Sequence, residues 1–280
     1  DNVVRVQSDE RYRMDVPALE RAIAEDEANG MHPMAVIATV GTTSTASVDP
    51  LTEIARVCRE HGLWLHVDAA YGGPLAILPE RSDVMAGAEL ADSVIVNGHK
   101  WLFIPLDFSA LFTRRPEVLR AVFSFTPEYL RGDAGENGVV NYMDYGIQLG
   151  RRFRALKAWM ALRAFGREGL ESRIREHWRL ACLFAEWVAR EPYFRVTAPV
   201  EMAVVCFRFE PPPASAQESD TLNERIVEAV NASGDAYLTH TTLRGRRAMR
   251  IGVGNVLTTE RHLAHVWRRI REEGARLSRD

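Results

Sequence analysis

Short apolar runs separated by segments of helical spacing constrain this chain more than any other feature. Met34 to Val40 is a strand-like run and Leu51 to His61 has helical spacing. Leu63 to Val67, Ser93 to Val96 and Phe108 to Phe112 then read as strands again. Short strands alternating with helices predict a mainly parallel sheet covered on both faces. In such sheets ligands sit beyond the C-terminal ends of the strands. Thr42 and Thr43, Asp68, and His99 with Lys100 all follow strand ends, so one pocket can collect them.

From Thr126 to Asp144 the character changes. Gly132, Asp133, Gly135, Glu136, Asn137 and Gly138 make a polar, glycine-rich stretch. Its length predicts a functional, mobile loop over 125–141 and not a plain connector. Phe153 to Phe165 and Leu170 to Arg190 read as two helices. After Glu191-Pro192 a second unit begins, with a strand at Val204 to Phe209 and a linker-like loop from Pro211 to Asp220. A helix at Leu222 to Ala232, strands at Ala236 to Thr239 and Met249 to Val253, and a closing helix at Glu260 to Leu277 complete it. The expected division is a pocket-bearing large-domain part over 1–155, then connecting helices and a small C-terminal α/β domain over 156–280.

At 280 residues the chain can hold a sizeable core and two domains. A net charge of −3 with dispersed arginines argues against strong steering toward nucleic acid or acidic membranes. Cys58, Cys182 and Cys206 are odd in number and far apart. They offer no metal-ligand spacing and no disulfide framework, which fits a reducing cytoplasm. No apolar stretch is long enough to span a bilayer, and no signal-like N-terminus is present. The chain begins at Asp1 and not at Met, so a processed, cut or partial chain is one expectation.

Of 35 basic residues only Lys100 and Lys157 are lysines. Where surface cations are almost all Arg, a retained Lys draws attention, because its amine becomes nucleophilic on deprotonation and a guanidinium does not. Lys100 lies in Asn97-Gly98-His99-Lys100-Trp101. It is either a nucleophile for an aldehyde cofactor or a surface lysine at a strand end. His99 adds a group able to bind phosphate or move a proton, and Trp101 adds apolar cover.

Asp68 ends the apolar run Trp64-Leu65-His66-Val67. A carboxylate there is costly without a partner. That partner is a protonated pyridine nitrogen or, in the plainer alternative, a helix N-terminus or a loop salt bridge. An aldehyde-binding Lys with an Asp of this kind is the pair that pyridoxal phosphate chemistry most needs. Ala69 and Ala70 suit close approach of a flat ring. Gly41-Thr42-Thr43-Ser44-Thr45 is a hydroxyl-rich turn, read as a cofactor or substrate contact or as an ordinary capped turn.

Several segments closely resemble the group II pyridoxal-phosphate-dependent amino-acid decarboxylases, with the aromatic-L-amino-acid decarboxylase branch nearest. They are Val40 to Thr43, Trp64 to Tyr71, Asn97 to Trp101, Pro127-Glu128-Tyr129-Leu130 and Leu149 to Arg154. The resemblance runs along the chain in order, weakens after about Val196, and corresponds to roughly the C-terminal three-fifths of such a protein. It implies fold type I, with Lys100 as the lysine that joins the cofactor and Asp68 on its pyridine nitrogen. It places Asn97 and His99 near the phosphate, Ala70 against the ring and Thr43 near the ring oxygen. Tyr129 matches a mobile-loop tyrosine that protonates the substrate α-carbon after carbon dioxide leaves. Relatives with Phe there tend toward aldehyde-forming oxidation.

The resemblance also implies a homodimer, or a complementary N-terminal chain. The N-terminal part of the family, with its phosphate loop and ring-stacking histidine, has no counterpart here. Gly98 stands where the family commonly has Pro or Ala. Two further readings compete: another fold-type-I reaction, such as an aldehyde synthase, and a catalytically incomplete subunit. No metal is expected.

Overall fold

The structure is a computed structural model that describes residues 2–124 and 140–279. The catalytic-loop expectation over 125–141, with Tyr129, therefore falls almost wholly outside the described residues. The first sheet has the order β1-β2-β3-β4, with β1 at Ala35–Thr39, β2 at Trp64–Asp68, β3 at Ser93–Val96 and β4 at Ala110–Thr113. β1, β2 and β3 run parallel. β4 returns antiparallel to β3, with Ser93 opposite Thr113.

Helix α1 (Val16–Ala28) opens on Asp15, whose carboxylate accepts the Ala18 N–H. Helix α2 (Leu51–His61) matches the expected span. Gly62 ends it at φ 67°, a conformation that a side chain would strain, and Arg59 and His61 in its last turn complement the helix dipole. Ile54, Val57 and Cys58 of α2 share one core with Val36 and Ala38 of β1 and Leu65 and Val67 of β2.

The expectation that both faces of this sheet are covered is only half met. β1 alternates, with Val36 and Ala38 buried but Ile37 63% exposed, and Leu111 and Phe112 of β4 are also exposed. Within the described residues, β1 is buried on one side only, and β4 shows an exposed apolar side chain on each face.

Beyond α3 (Gly98–Trp101) and α4 (Pro116–Phe123), the two expected helices at Phe153 and Leu170 form one long element, α5 (Arg154–Arg190). The break between them survives as Gly166, at φ 63° and ψ 175° inside the helix. The second sheet is antiparallel throughout, in the order β5-β6-β8-β7. Its strands are β5 (Phe194–Val196), β6 (Val204–Phe209), β7 (Thr239–Leu243) and β8 (Arg246–Gly252). All six residues of β6 are buried. Phe207 of β6 and Trp267 of α7 (Glu260–Leu277) both meet Phe184 of α5 edge to face, at 5.4 and 5.5 Å between centroids.

Two local expectations are corrected here. The linker read from Pro211 to Asp220 is shorter, because α6 (Ala216–Ser233) starts early on a capping box. The Glu218 N–H donates to Ser215 Oγ, and the Ser215 N–H to the Glu218 carboxylate. The strand expected at Ala236 to Thr239 lies at Thr239–Leu243. Its register is set by a two-residue turn with both Arg244 and Gly245 at positive φ.

Candidate active site

Three strand ends build the site. Thr39, the last residue of β1, pairs with Asp68, and Asp68 pairs in turn with Ile95 of β3. The chain leaves each strand at the same edge: β1 into the turn 41–47, β2 into Ala69-Ala70-Tyr71, and β3 into Asn97 and α3. The Ala69 N–H donates to Ile95 O at 3.0 Å and the Asn97 N–H to Ala70 O at 3.2 Å. Thr43, Asp68, Ala70, Asn97, His99 and Lys100 thus all lie at or just after the C-terminal ends of three adjoining strands.

The free valences at those strand ends are specific. Asp68 Oδ1 accepts the Ala70 N–H at 3.0 Å, while Oδ2 has no hydrogen-bond partner among the described residues. Of the five hydroxyls in the turn, Thr42, Thr45 and Ser47 bond one another. Ser44 Oγ accepts from Thr241. The exposed Thr43 hydroxyl alone has no partner among the described residues. Asn97 Oδ1 is buried without a partner, a costly state unless a ligand completes it. Rotating that amide by half a turn presents its N–H donors to the same space.

His99 Nδ1 lies 2.7 Å from Phe108 O and 3.0 Å from Phe108 N. The backbone of Phe108 therefore orients the ring and leaves Nε2 for another partner. Lys100 is exposed on α3, beside a fixed neighbour. Trp101 is 1% exposed and stacks on Tyr71 with centroids 5.0 Å apart. Trp101 Nε1–H donates to His177 Nδ1 at 3.2 Å, and His177 Nε2–H faces Asn255 O at 3.1 Å. His177 of α5 is thus held as the neutral tautomer with hydrogen on Nε2. Nothing local in the sequence marks it.

That arrangement has a pH signature. Burial, the largest influence, lowers the His177 pKa below its ordinary 6.5, and burial likewise lowers that of His66. Below pH 6.5 the unfolded chain binds protons that these folded imidazoles refuse, so the unfolded state gains. Stability should therefore fall as the pH drops from 7.5 to 5.5, read as a lower denaturant midpoint. His177→Gln should flatten that slope. An unchanged slope in the variant would remove His177 as its source.

The Leu149 to Arg154 motif attaches to the site's flank through Asp107, another residue that sequence reading missed. Arg154 Nε–H donates to Asp107 Oδ2 at 3.0 Å, and Arg152 Nη2 lies 3.3 Å from Oδ1. The hydrogen bond from Arg154 is the largest influence holding the Asp107 carboxyl down, to about 2. Among the described residues no cluster of His, Cys, Asp or Glu could hold a metal ion.

A lysine, a carboxylate, and a hydroxyl and an amide oxygen without partners among the described residues thus stand at adjoining strand ends. Residues 2–210 match the sequence profile described as the pyridoxal-dependent decarboxylase conserved domain, and the chain belongs to that family. It is similar to the phenylacetaldehyde synthase of Arabidopsis thaliana, 39% identical over 276 residues that cover 98% of this chain and 56% of that protein. It is also similar to a tryptophan decarboxylase of Camptotheca acuminata, 40% identical over 271 residues that cover 96% of this chain and 54% of that one.

The crystal structure of Oryza sativa TDC with PLP and tryptamine is similar at TM-score 0.92 and 36% identity, over 96% of this chain and 56% of that one. The chain therefore spans about half the length of the curated relatives it matches. The mainly parallel four-stranded sheet followed by an antiparallel four-stranded one is the fold-type-I α/β arrangement that the sequence resemblance implied.

Proposed function

We propose that this chain carries the lysine-bearing part of a pyridoxal-phosphate-dependent carboxy-lyase. It would convert an L-amino acid, with an aromatic side chain favoured, to the amine and carbon dioxide. The observation that carries this reading is that Lys100, Asp68 and the unspent Thr43 hydroxyl follow the ends of three adjoining parallel strands, in a chain of this family. The residues fit the cofactor. The Asn97 amide, turned to present its N–H, would donate to a phosphate oxygen, and the open Asp68 Oδ2 would accept the N–H of a protonated pyridine.

Lys100 would join it covalently, Asp68 would hold the pyridine nitrogen, and Thr43 would meet the ring oxygen. Ala70 would lie against the ring, with Asn97 and His99 toward the phosphate. When bound, pyridoxal phosphate supplies an electron sink for the pair left at the substrate α-carbon as carbon dioxide departs. Asp68 keeps the positive charge of the ring nitrogen favourable. Trp101 and Tyr71 exclude water behind Lys100, and His99 can hold or move a proton at Nε2.

The test is to incubate the full-length protein and pyridoxal phosphate with L-tryptophan, L-tyrosine, L-phenylalanine, L-dopa and L-glutamate, and to measure amine and carbon dioxide. Release of neither from any of them overturns the reading.

An aldehyde-forming reaction is the second reading, favoured by the similarity to phenylacetaldehyde synthase. Tyr129, outside the described residues, would decide between the two by delivering a proton to the α-carbon. Tyr129→Phe is expected to slow amine formation and to raise oxygen-dependent aldehyde and ammonia. Amine at the parent rate in that variant would show that Tyr129 is not the donor.

We also take the working unit to be a homodimer, or this chain with a complementary N-terminal chain. Ile147 (91% exposed), Phe153 (76%) and Trp159 (61%) support that by leaving apolar surface uncovered. The division into 1–155 and 156–280 rests on the two separate sheets. A cytoplasmic location rests on the three free cysteines. Among the described residues, no helix is long and apolar enough to cross a membrane.

A further inference from the structure

Ser44, in the pocket turn, is gripped by the second sheet. Its carbonyl accepts the Cys206 thiol hydrogen at 3.1 Å and the Arg250 Nε–H at 3.1 Å. Its hydroxyl accepts the Thr241 hydroxyl hydrogen at 3.0 Å. These groups come from β6, β8 and β7 respectively, and Cys206 and Arg250 face each other in the β6–β8 register. Burial pushes the Cys206 thiol up to about 11, so it remains a donor at neutral pH.

Met202, in the segment that leads into β6, packs behind the start of the turn. A Cβ at Gly41 would lie 3.0 Å from Met202 Sδ, and one at Gly72 would lie 2.4 Å from Met202 Cε and 2.5 Å from Val40 O. The turn is therefore tightly packed at Gly41, is tied to Arg11 O through Ser47 Oγ, and meets the second sheet through Ser44. Thr43, the neighbour of Ser44, is the only hydroxyl of the turn left without a partner among the described residues.

We propose that Thr241 is a positioning residue: through Ser44 it fixes the turn so that the Thr43 hydroxyl stays on the pocket rim, and the second sheet thereby sets the pocket's affinity for the pyridine ring. This rests on the functional reading above. The group acts through Ser44 and touches no reacting atom. One lost hydrogen bond of this kind corresponds to roughly three- to tenfold in an equilibrium constant.

The experiment titrates pyridoxal phosphate into the full-length apoprotein by visible absorbance, alongside unfolding midpoints of the same preparations. Thr241→Val and Ser44→Ala are each expected to weaken cofactor binding by about three- to tenfold. The double variant should be no weaker than either single one, because both remove the same bond. Thr241→Ser, which keeps the hydroxyl, should restore binding to the parent value.

Wild-type protein that takes up no pyridoxal phosphate overturns the functional reading and this inference with it. Wild type that binds while Thr241→Val binds equally well overturns this inference alone. So do strictly additive losses in the double variant, failure of Thr241→Ser to restore binding, or weakening that only tracks a lowered unfolding midpoint.

Discussion

Lys100→Ala in the full-length protein is expected to leave a folded chain that has lost the borohydride-fixed cofactor adduct, with turnover down by about 1000-fold or more. The fold should survive because Lys100 is exposed and the local structure is anchored by its neighbour. Trp101 keeps its stack on Tyr71 and its hydrogen bond to His177 whatever side chain stands at position 100. A surface substitution of that kind changes stability by no more than about 0.5 kcal/mol. The measurement is borohydride reduction, digestion and mass spectrometry of wild type and variant, with product assays beside it. An adduct found on Lys157, or parent-level turnover in the variant, would overturn the assignment.

Asp68→Asn should separate charge from shape. The amide oxygen of Asn can still accept the Ala70 N–H that Asp68 Oδ1 accepts at 3.0 Å, so the β2 end should keep its form. What disappears is the negative charge offered by Oδ2. A favourable charge that matters more in the transition state than in the ground state is worth about 10²- to 10³-fold in rate when removed. Amine formation is therefore expected to fall by that factor while the unfolding midpoint stays near the parent's. Near-normal turnover would show that Asp68 is an ordinary loop carboxylate.

Much of the architecture is written in local pattern. The β1, α2 and β2 spans follow from apolar period, and the edge at which ligands gather follows from the parallel order of short strands. The misreadings have local causes too. The Pro211 run hid the Ser215–Glu218 capping box that starts α6, and the Arg244-Gly245 turn moved β7 along the chain. Both features were present in the sequence but carried less weight than the proline cluster and the apolar run beside them.

Sequence alone determined the family, which a profile over residues 2–210 bears out as pyridoxal-dependent decarboxylase, and put a rare lysine and a strand-end carboxylate forward as its chemistry. Those features are local, so a linear reading reaches them. The tertiary structure decided which groups are spent and which are free. Reading Gly41 to Thr45 finds hydroxyls but cannot rank them. Folding ties Thr42, Thr45 and Ser47 to one another and Ser44 to Thr241, 197 residues away, leaving Thr43. Trp101 likewise finds its acceptor in His177, 76 residues on, and Asp107 finds Arg154, 47 residues on. Such pairings depend on how two sheets and a long helix pack. They have no period or spacing along the chain, because a hydrogen bond is set by a few tenths of an ångström in space and not by separation in sequence.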